Sequence, residues 1–289
     1  MNRIEFHAHL ALDGVSYAQA AARHSQAVDL NTLRGVLAAY QNAGFTAVRD
    51  GGDPFGVSPA AMALAAEYGL KVASPVFAIH KTGCYGSILG KGFASQKEYL
   101  SLVQKVRREG GTFIKLVLSG IMDFENEGRQ LYYEHPLTAC EIREMVHAAH
   151  SEGLAVMAHV NGRDNITMAL EAGCDSIEHG YGMDISCLRL MKERGSFWVP
   201  TLAPLALFQS DDPGVQNALS GLLAAHRSMI RTAASLGVSI MPGSDAGSAF
   251  VHHVSGLLSE EAELKKLLPD EAYPSEDEQT ACLSRFFLY

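Results

Sequence analysis

Two histidines, His7 and His9, stand two residues apart near the start of the chain. In an extended strand, residues two apart share one face. Both imidazoles then project together, and a pair of imidazoles is half of a metal site. Farther on, Lys115 sits inside Phe-Ile-Lys-Leu-Val, His159 inside Met-Ala-His-Val-Asn, His179 inside Ile-Glu-His-Gly and Asp245 inside Gly-Ser-Asp-Ala. Imidazoles and a carboxylate can hold a divalent ion that activates water, and a carboxylate can also move a proton. Each residue alone has an ordinary reading. His159 and His179 could be hydrogen-bonded core histidines, Asp245 a helix cap, and Lys115 an ammonium paired with an acidic neighbour such as Glu178. The chemical reading requires one fold to bring all six together.

Hydrophobic patterning supplies such a fold. Apolar and β-branched runs predict eight strands, at residues 4–10, 45–50, 70–79, 112–118, 154–160, 175–179, 197–201 and 238–242. Helical periodicity falls between them, at 31–42, 58–68, 95–109, 138–152, 164–172, 184–194 and within 215–236. Thr138 with Glu141, and Ser275 with Glu278, have capping-box spacing. The glycine-rich stretch 81–93 reads as a long loop. Alternating strands and helices imply parallel pairing with right-handed crossovers, and eight such units predict a (β/α)8 TIM barrel. In that fold the active site lies at the C-terminal ends of the strands, where all six residues fall.

Composition narrows the classes. The chain has 289 residues, 47% of them hydrophobic, enough for one large α/β barrel or two ordinary domains with a real core. A net charge of −9 argues against nucleic acid and anionic membrane as partners. No apolar run approaches a membrane span, and no signal peptide is visible. Five scattered cysteines without a CxxC read as reduced thiols in a cytoplasmic protein.

Lys115 carries its own chemistry. An ammonium in an apolar strand is costly. Burial and neighbouring cations depress its pKa, and a neutral amine can combine with carbon dioxide. The resulting carbamate is a carboxylate-like ligand able to bridge two metals.

At this point the sequence resembles the amidohydrolase superfamily of metal-dependent hydrolases. The matching stretches are His7-Ala8-His9, Phe113-Ile114-Lys115-Leu116, Met157-Ala158-His159-Val160-Asn161-Gly162, Ser176-Ile177-Glu178-His179-Gly180 and Pro242-Gly243-Ser244-Asp245-Ala246-Gly247. Val48-Arg49-Asp50-Gly51-Gly52 and Val199-Pro200-Thr201-Leu202 look like the branch of imidazolonepropionase-like proteins and related prolidases. The resemblance implies a distorted barrel with one or two divalent ions. His7, His9 and Asp245 would bind the more buried ion, carboxylated Lys115 would bridge, and His159 and His179 would bind the second. Zinc suits these ligands, with manganese or iron as alternatives. Family members usually carry a small β-sandwich built from both flanks of the barrel. Only three residues precede the first strand here, so most or all of that sandwich is expected to be missing.

The function read from these residues is hydrolysis of an amide-type C–N bond in a small molecule, such as an N-acyl amino acid, dipeptide or cyclic amide. A metal-activated hydroxide would attack, with Asp245 as general base. Lactone hydrolysis or deamination at the same centre, and a non-catalytic metal-binding scaffold, are the alternatives. His80, Tyr85, Asn161 and Tyr181 are candidates to touch substrate or serve as structural hydrogen-bonding groups. Arg49 could receive a substrate carboxylate, or pair with Asp50 or Asp53. Residues 1–289 are read as a single barrel domain with a helical extension over 256–289. The extension ends in Phe286-Phe287-Leu288-Tyr289, which either packs on its own barrel or covers a partner in a homo-oligomer.

Overall fold

The structure, a computed structural model, describes residues 3–121 and 136–287. Most of the loop before the 138–152 helix lies outside the described residues, as do Leu288 and Tyr289 of the apolar tail. The strands are β1 (Arg3–Ala8), β2 (Phe45–Asp50), β3 (Lys71–Ala73), β4 (Ala78–Lys81), β5 (Gly90–Phe93), β6 (Ile114–Val117), β7 (Val156–Val160), β8 (Ser176–His179) and β9 (Phe197–Val199). The helices are α1 (Tyr17–His24), α2 (Leu30–Asn42), α3 (Val57–Leu64), α4 (Gln96–Arg108), α5 (Ala139–Ser151), α6 (Arg163–Ala172), α7 (Ile185–Arg194), α8 (Leu202–Leu207), α9 (Pro213–Leu236), α10 (Ser255–Leu267) and α11 (Glu276–Ser284).

All strand pairs are parallel. They form one sheet in the order β1-β2-β3 and another in the order β5-β4-β6-β7-β8-β9. The segment around residues 238–246 runs between β9 and β1. It pairs Ile240 with Trp198 and Ala246 with Ala8. Asp245 N–H also donates to the His7 carbonyl at 2.7 Å, and Phe6 N–H to that of Pro242 at 3.1 Å. On the other side, Thr112 N–H donates to the Ser74 carbonyl at 2.8 Å, just past β3 and just before β6. The architecture is TIM-barrel-like, with helices outside parallel strands.

Three expectations are corrected. The strand expected over 70–79 breaks in two, because Pro75 lacks an N–H and Val76 turns to φ 67°. The stretch 81–93 is not all loop: Gly90–Phe93 pairs with β4, and a Cβ on Gly90 would overlap the Ala78 backbone. Glycine lets that strand approach closely, and the same glycines hide it from a β-propensity reading. Residues 238–242 make only an isolated bridge rather than a full strand. Helices α1 and α8 fall where no helix was expected, at 8 and 6 residues too short for periodicity to show.

Both capping boxes form, at Thr138–Glu141 and Ser275–Glu278. Helix α11 delivers Leu283 and Phe286 into the end of the barrel core, where Phe286 is fully buried. Its ring meets Phe113 at 5.2 Å and Phe197 at 5.6 Å, edge to face. Phe286 is therefore spent within its own chain and is not available to cover a partner. No helix among the described residues is long and apolar enough to cross a membrane.

Candidate metal centre

His7 lies in β1, and His9 follows directly after it. The strand is irregular between Glu5 and Ala8, yet both imidazoles reach one atom. Asp245 Oδ1 lies 3.3 Å from His7 Nε2 and 3.2 Å from His9 Nε2. One donor atom from each of the three falls within 4.8 Å of the others. Lys115, in the middle of β6, places Nζ 3.3 Å from His7 Nε2. His179, the last residue of β8, has its ring 5.0 Å from that of His7 and 4.5 Å from that of His159 on β7. All six residues named from the sequence thus form one contiguous cluster.

The ring orientations are set from behind. His7 Nδ1–H donates to Glu178 Oε2 at 2.7 Å with both side chains fully buried. That tautomer leaves a lone pair on Nε2, facing the Asp245 carboxylate. Both are acceptors, with the Lys115 amine 3.3 Å from the same nitrogen, and a metal ion between them would satisfy both. His179 Nδ1 is held by Thr201 Oγ1 at 2.8 Å, which leaves its Nε2 free for a ligand. The His159 Nε2 lies a long 3.4 Å from the Gly120 carbonyl. The residues therefore fit a divalent ion held by imidazole and carboxylate.

Electrostatics favour the same use. Burial, reinforced by Lys115, holds His7 well below its usual range and lowers His159 to about 3. Burial and the adjacent His159 do the same to His179. Neutral imidazole is the ligand form. Burial alone would raise the Asp245 carboxyl, but His7, His9 and Lys115 outweigh it and keep Asp245 ionised. Burial lowers Lys115 to about 8. No Lys115–Glu178 ion pair forms among the described residues, because Glu178 is taken by His7, Arg49 and Ser176.

Backbone strain concentrates here. His179, Thr201 and Asp245 adopt φ 63°, 46° and 59°. For β-branched Thr201 this is an outlier that its surroundings have to enforce. They do so through the Tyr181 hydroxyl, which donates to the Thr201 carbonyl at 2.7 Å, and through the Ala203 N–H, which donates to buried Glu260. Trp198 Nε1–H donates to the His179 carbonyl at 2.9 Å. Gly51 is needed because any Cβ there would overlap the His9 ring.

The other named residues divide. Tyr85, Asn161 and Tyr181 line a cavity of about 350 Å³ above the cluster. Asn161 also braces the rim: its side-chain oxygen accepts from the Tyr181 N–H at 3.0 Å, and its backbone N–H donates to the Ser119 hydroxyl oxygen at 2.8 Å. His80 is buried with Nδ1 on the Lys81 carbonyl and is not part of the cavity wall. Arg49 pairs with neither Asp50 nor Asp53 and does not reach the cavity. Its guanidinium, 0% exposed, donates to Phe6 O, Ser176 Oγ and Glu178 Oε1 and lies 4.5 Å from the Phe286 ring. Asp50 instead accepts from Leu10 N–H and the hydroxyls of Ser58 and Ser74, while Asp53 caps the start of α3.

Sequence reasoning missed Glu5, which accepts from the N–H groups of His7 and Ser244 and from the Ser244 hydroxyl. It ties β1 to the loop that carries Asp245, and burial raises its carboxyl to about 8. The Arg49–Glu178–His7 relay was also missed. Its one sequence signal is the period-two spacing of Ser176 and Glu178 on the inward face of β8. Glu178→Ala would leave a buried guanidinium unpaired and free the His7 ring. We expect a loss of about 3–5 kcal/mol, measured by urea unfolding of the metal-free protein. A change under about 1 kcal/mol would mean that the relay does not support the core.

The amidohydrolase family profile matches residues 4–272. An uncharacterized protein of Mycobacterium tuberculosis is 32% identical over 176 residues, 56% of this chain and 45% of that protein. The ochratoxinase of Aspergillus niger is 30% identical over 143 residues, 48% of this chain and 29% of that protein. The chain spans less than half the length of these curated relatives. Among solved structures, a Xaa-Pro dipeptidase with methionine bound in its active site superposes with a TM-score of 0.75 at 20% identity, covering 99% of this chain and 75% of its own. The A. niger ochratoxinase superposes with a TM-score of 0.66 at 21% identity, covering 91% and 68%. These structural likenesses carry the barrel-like fold, and the profile spans every residue of the cluster: the chain belongs to the amidohydrolase family.

Proposed function

We propose that this chain is a metal-dependent hydrolase that cleaves an amide-type C–N bond of a small molecule, on a closed (β/α)8 barrel. The observation that carries the reading is the cluster itself. His9, His159, His179 and Asp245 line one cavity, His7 converges with His9 and Asp245, and Lys115 lies against His7. Support comes from neighbours of the same fold: a prolidase solved with N-methylphosphonate-L-proline, and ochratoxinase.

His7, His9 and Asp245 would hold one divalent ion and His159 with His179 a second, zinc in both cases, with Lys115 between them as a carbamate. Bound ions would lower the pKa of a water and polarise the scissile carbonyl. Carbon dioxide adds to the neutral Lys115 amine, and the carbamate forms by loss of one proton. That chemistry is favoured by an amine whose pKa is brought near neutrality. Asp245, kept ionised by its neighbours, takes a proton from the attacking water and delivers it to the leaving nitrogen. Tyr85, Asn161 and Tyr181 form the wall against which the substrate is oriented.

Zinc-loaded protein should release acid and amine from at least one amide in a panel of N-acyl amino acids, N-acyl amides, dipeptides and cyclic amides. Protein that opens lactones in a parallel panel but cleaves no amide would replace this reading with the lactonase.

A further inference from the structure

The walls of the cavity point beyond bond type to substrate class. Resting on the amide-hydrolase reading, we infer that the substrate is an amide whose flanking groups are apolar and uncharged, with no free carboxylate beside the scissile bond. Leu12, Ile88, Leu89, Phe208 and Leu219 make up much of the wall. Among the described residues that line the cavity there is no lysine or arginine, and the one carboxylate is Asp245. The two buried cations nearby are already engaged. Every donor group of Arg49 that the structure records faces the barrel interior, and Lys115 lies against His7. Among the described lining residues a substrate carboxylate would meet Asp245 and no lysine or arginine, so that only bound metal ions would offset its desolvation.

The rim gives a second, independent observation. Large hydrophobic side chains exposed to solvent gather around this mouth. Val15 is 68% exposed, Tyr17 42% and Ile121 46%, and all three line the opening. Phe250, 49% exposed, meets Phe208 of the wall edge to face at 5.2 Å. A continuous apolar surface from wall to rim marks a binding site for apolar groups. The wall also contains Ser248, whose hydroxyl is buried and has no partner among the described residues. It offers an uncharged hydrogen-bonding group to a ligand in the cavity. N-acyl amino acids and dipeptides, which carry a free carboxylate, are thereby placed below N-acyl amides with aromatic or branched flanks.

The test uses two ligands that cannot be cleaved, the ketomethylene isosteres of 3-phenylpropanoyl-phenylalaninamide and 3-phenylpropanoyl-phenylalanine. They share every apolar group and differ only in carboxamide against carboxylate. Calorimetric titration of zinc-loaded protein should give a Kd at least about tenfold lower for the carboxamide. Tyr17→Arg, at an exposed position where a charge does not burden folding, should shrink or reverse that ratio. Equal or tighter binding of the carboxylate by the unsubstituted protein would overturn the inference. Failure to cleave the parent amides, with the carboxamide preference intact, would count against amide hydrolysis and leave the binding preference standing.

Discussion

Asp245→Asn should lower turnover by about 10²- to 10⁴-fold while the protein keeps at least one metal ion. Asp245 has two jobs in the proposed mechanism, and asparagine removes them unequally. An amide oxygen can still lie near His7 and His9, which approach the same atom at 3.3 and 3.2 Å. It cannot accept a proton at neutral pH. The imidazoles that remain are unaffected in orientation, because Glu178 and Thr201 hold His7 and His179 from the other side. The loss should therefore appear in kcat with metal content largely retained. Steady-state kinetics beside metal analysis by mass spectrometry checks both halves. A variant turning over within a few-fold of the original would put the proton shuttle elsewhere. A variant with no metal at all would show that Asp245 acts first as a ligand.

The cluster was legible in the sequence because strand ends in a parallel α/β fold share one rim, so spacing alone nominated six residues. What holds them was less legible. Glu5, Thr201 and Arg49 act through contacts across 22 to 239 positions of sequence, and local pattern carries no trace of such partners. Arg49 shows the difficulty. An arginine at the end of an apolar strand reads equally as a substrate clamp, a partner of the adjacent aspartates or a core cation. Only packing decides, and here it closes the guanidinium between Glu178 and the Phe286 ring. The fold was read most accurately where capping chemistry is local, as at Thr138 and Ser275. It was read least well where glycine or proline breaks a pattern whose meaning is tertiary, as at Pro75 and Gly90.

Lys115 should separate metal binding from stability in opposite directions. Its side chain is fully buried, and it makes no ion pair with Glu178, which already serves Arg49 and His7. In metal-free protein, then, the amine is a desolvated group that lies 3.3 Å from one imidazole nitrogen, with the Asp245 and Glu178 charges near it. Replacing such a group with an apolar side chain of similar length removes the cost of desolvating the amine. Lys115→Met should therefore leave the metal-free protein at least as resistant to urea as the original. The same variant cannot form a carbamate, so it should bind one fewer metal ion per chain and lose most of its turnover. In the unsubstituted protein, bicarbonate added with zinc should speed reconstitution. Carbon dioxide is a reactant in the modification, and the neutral amine is accessible at a pKa of about 8. For Lys115→Ala, which leaves room in the strand, a small carboxylic acid should restore part of the activity by standing where the carbamate would be. Full metal content in Lys115→Met, or reconstitution indifferent to bicarbonate, would remove the bridge. The centre would then rest on His7, His9 and Asp245 with a single ion, and Lys115 would be a buried amine held by His7.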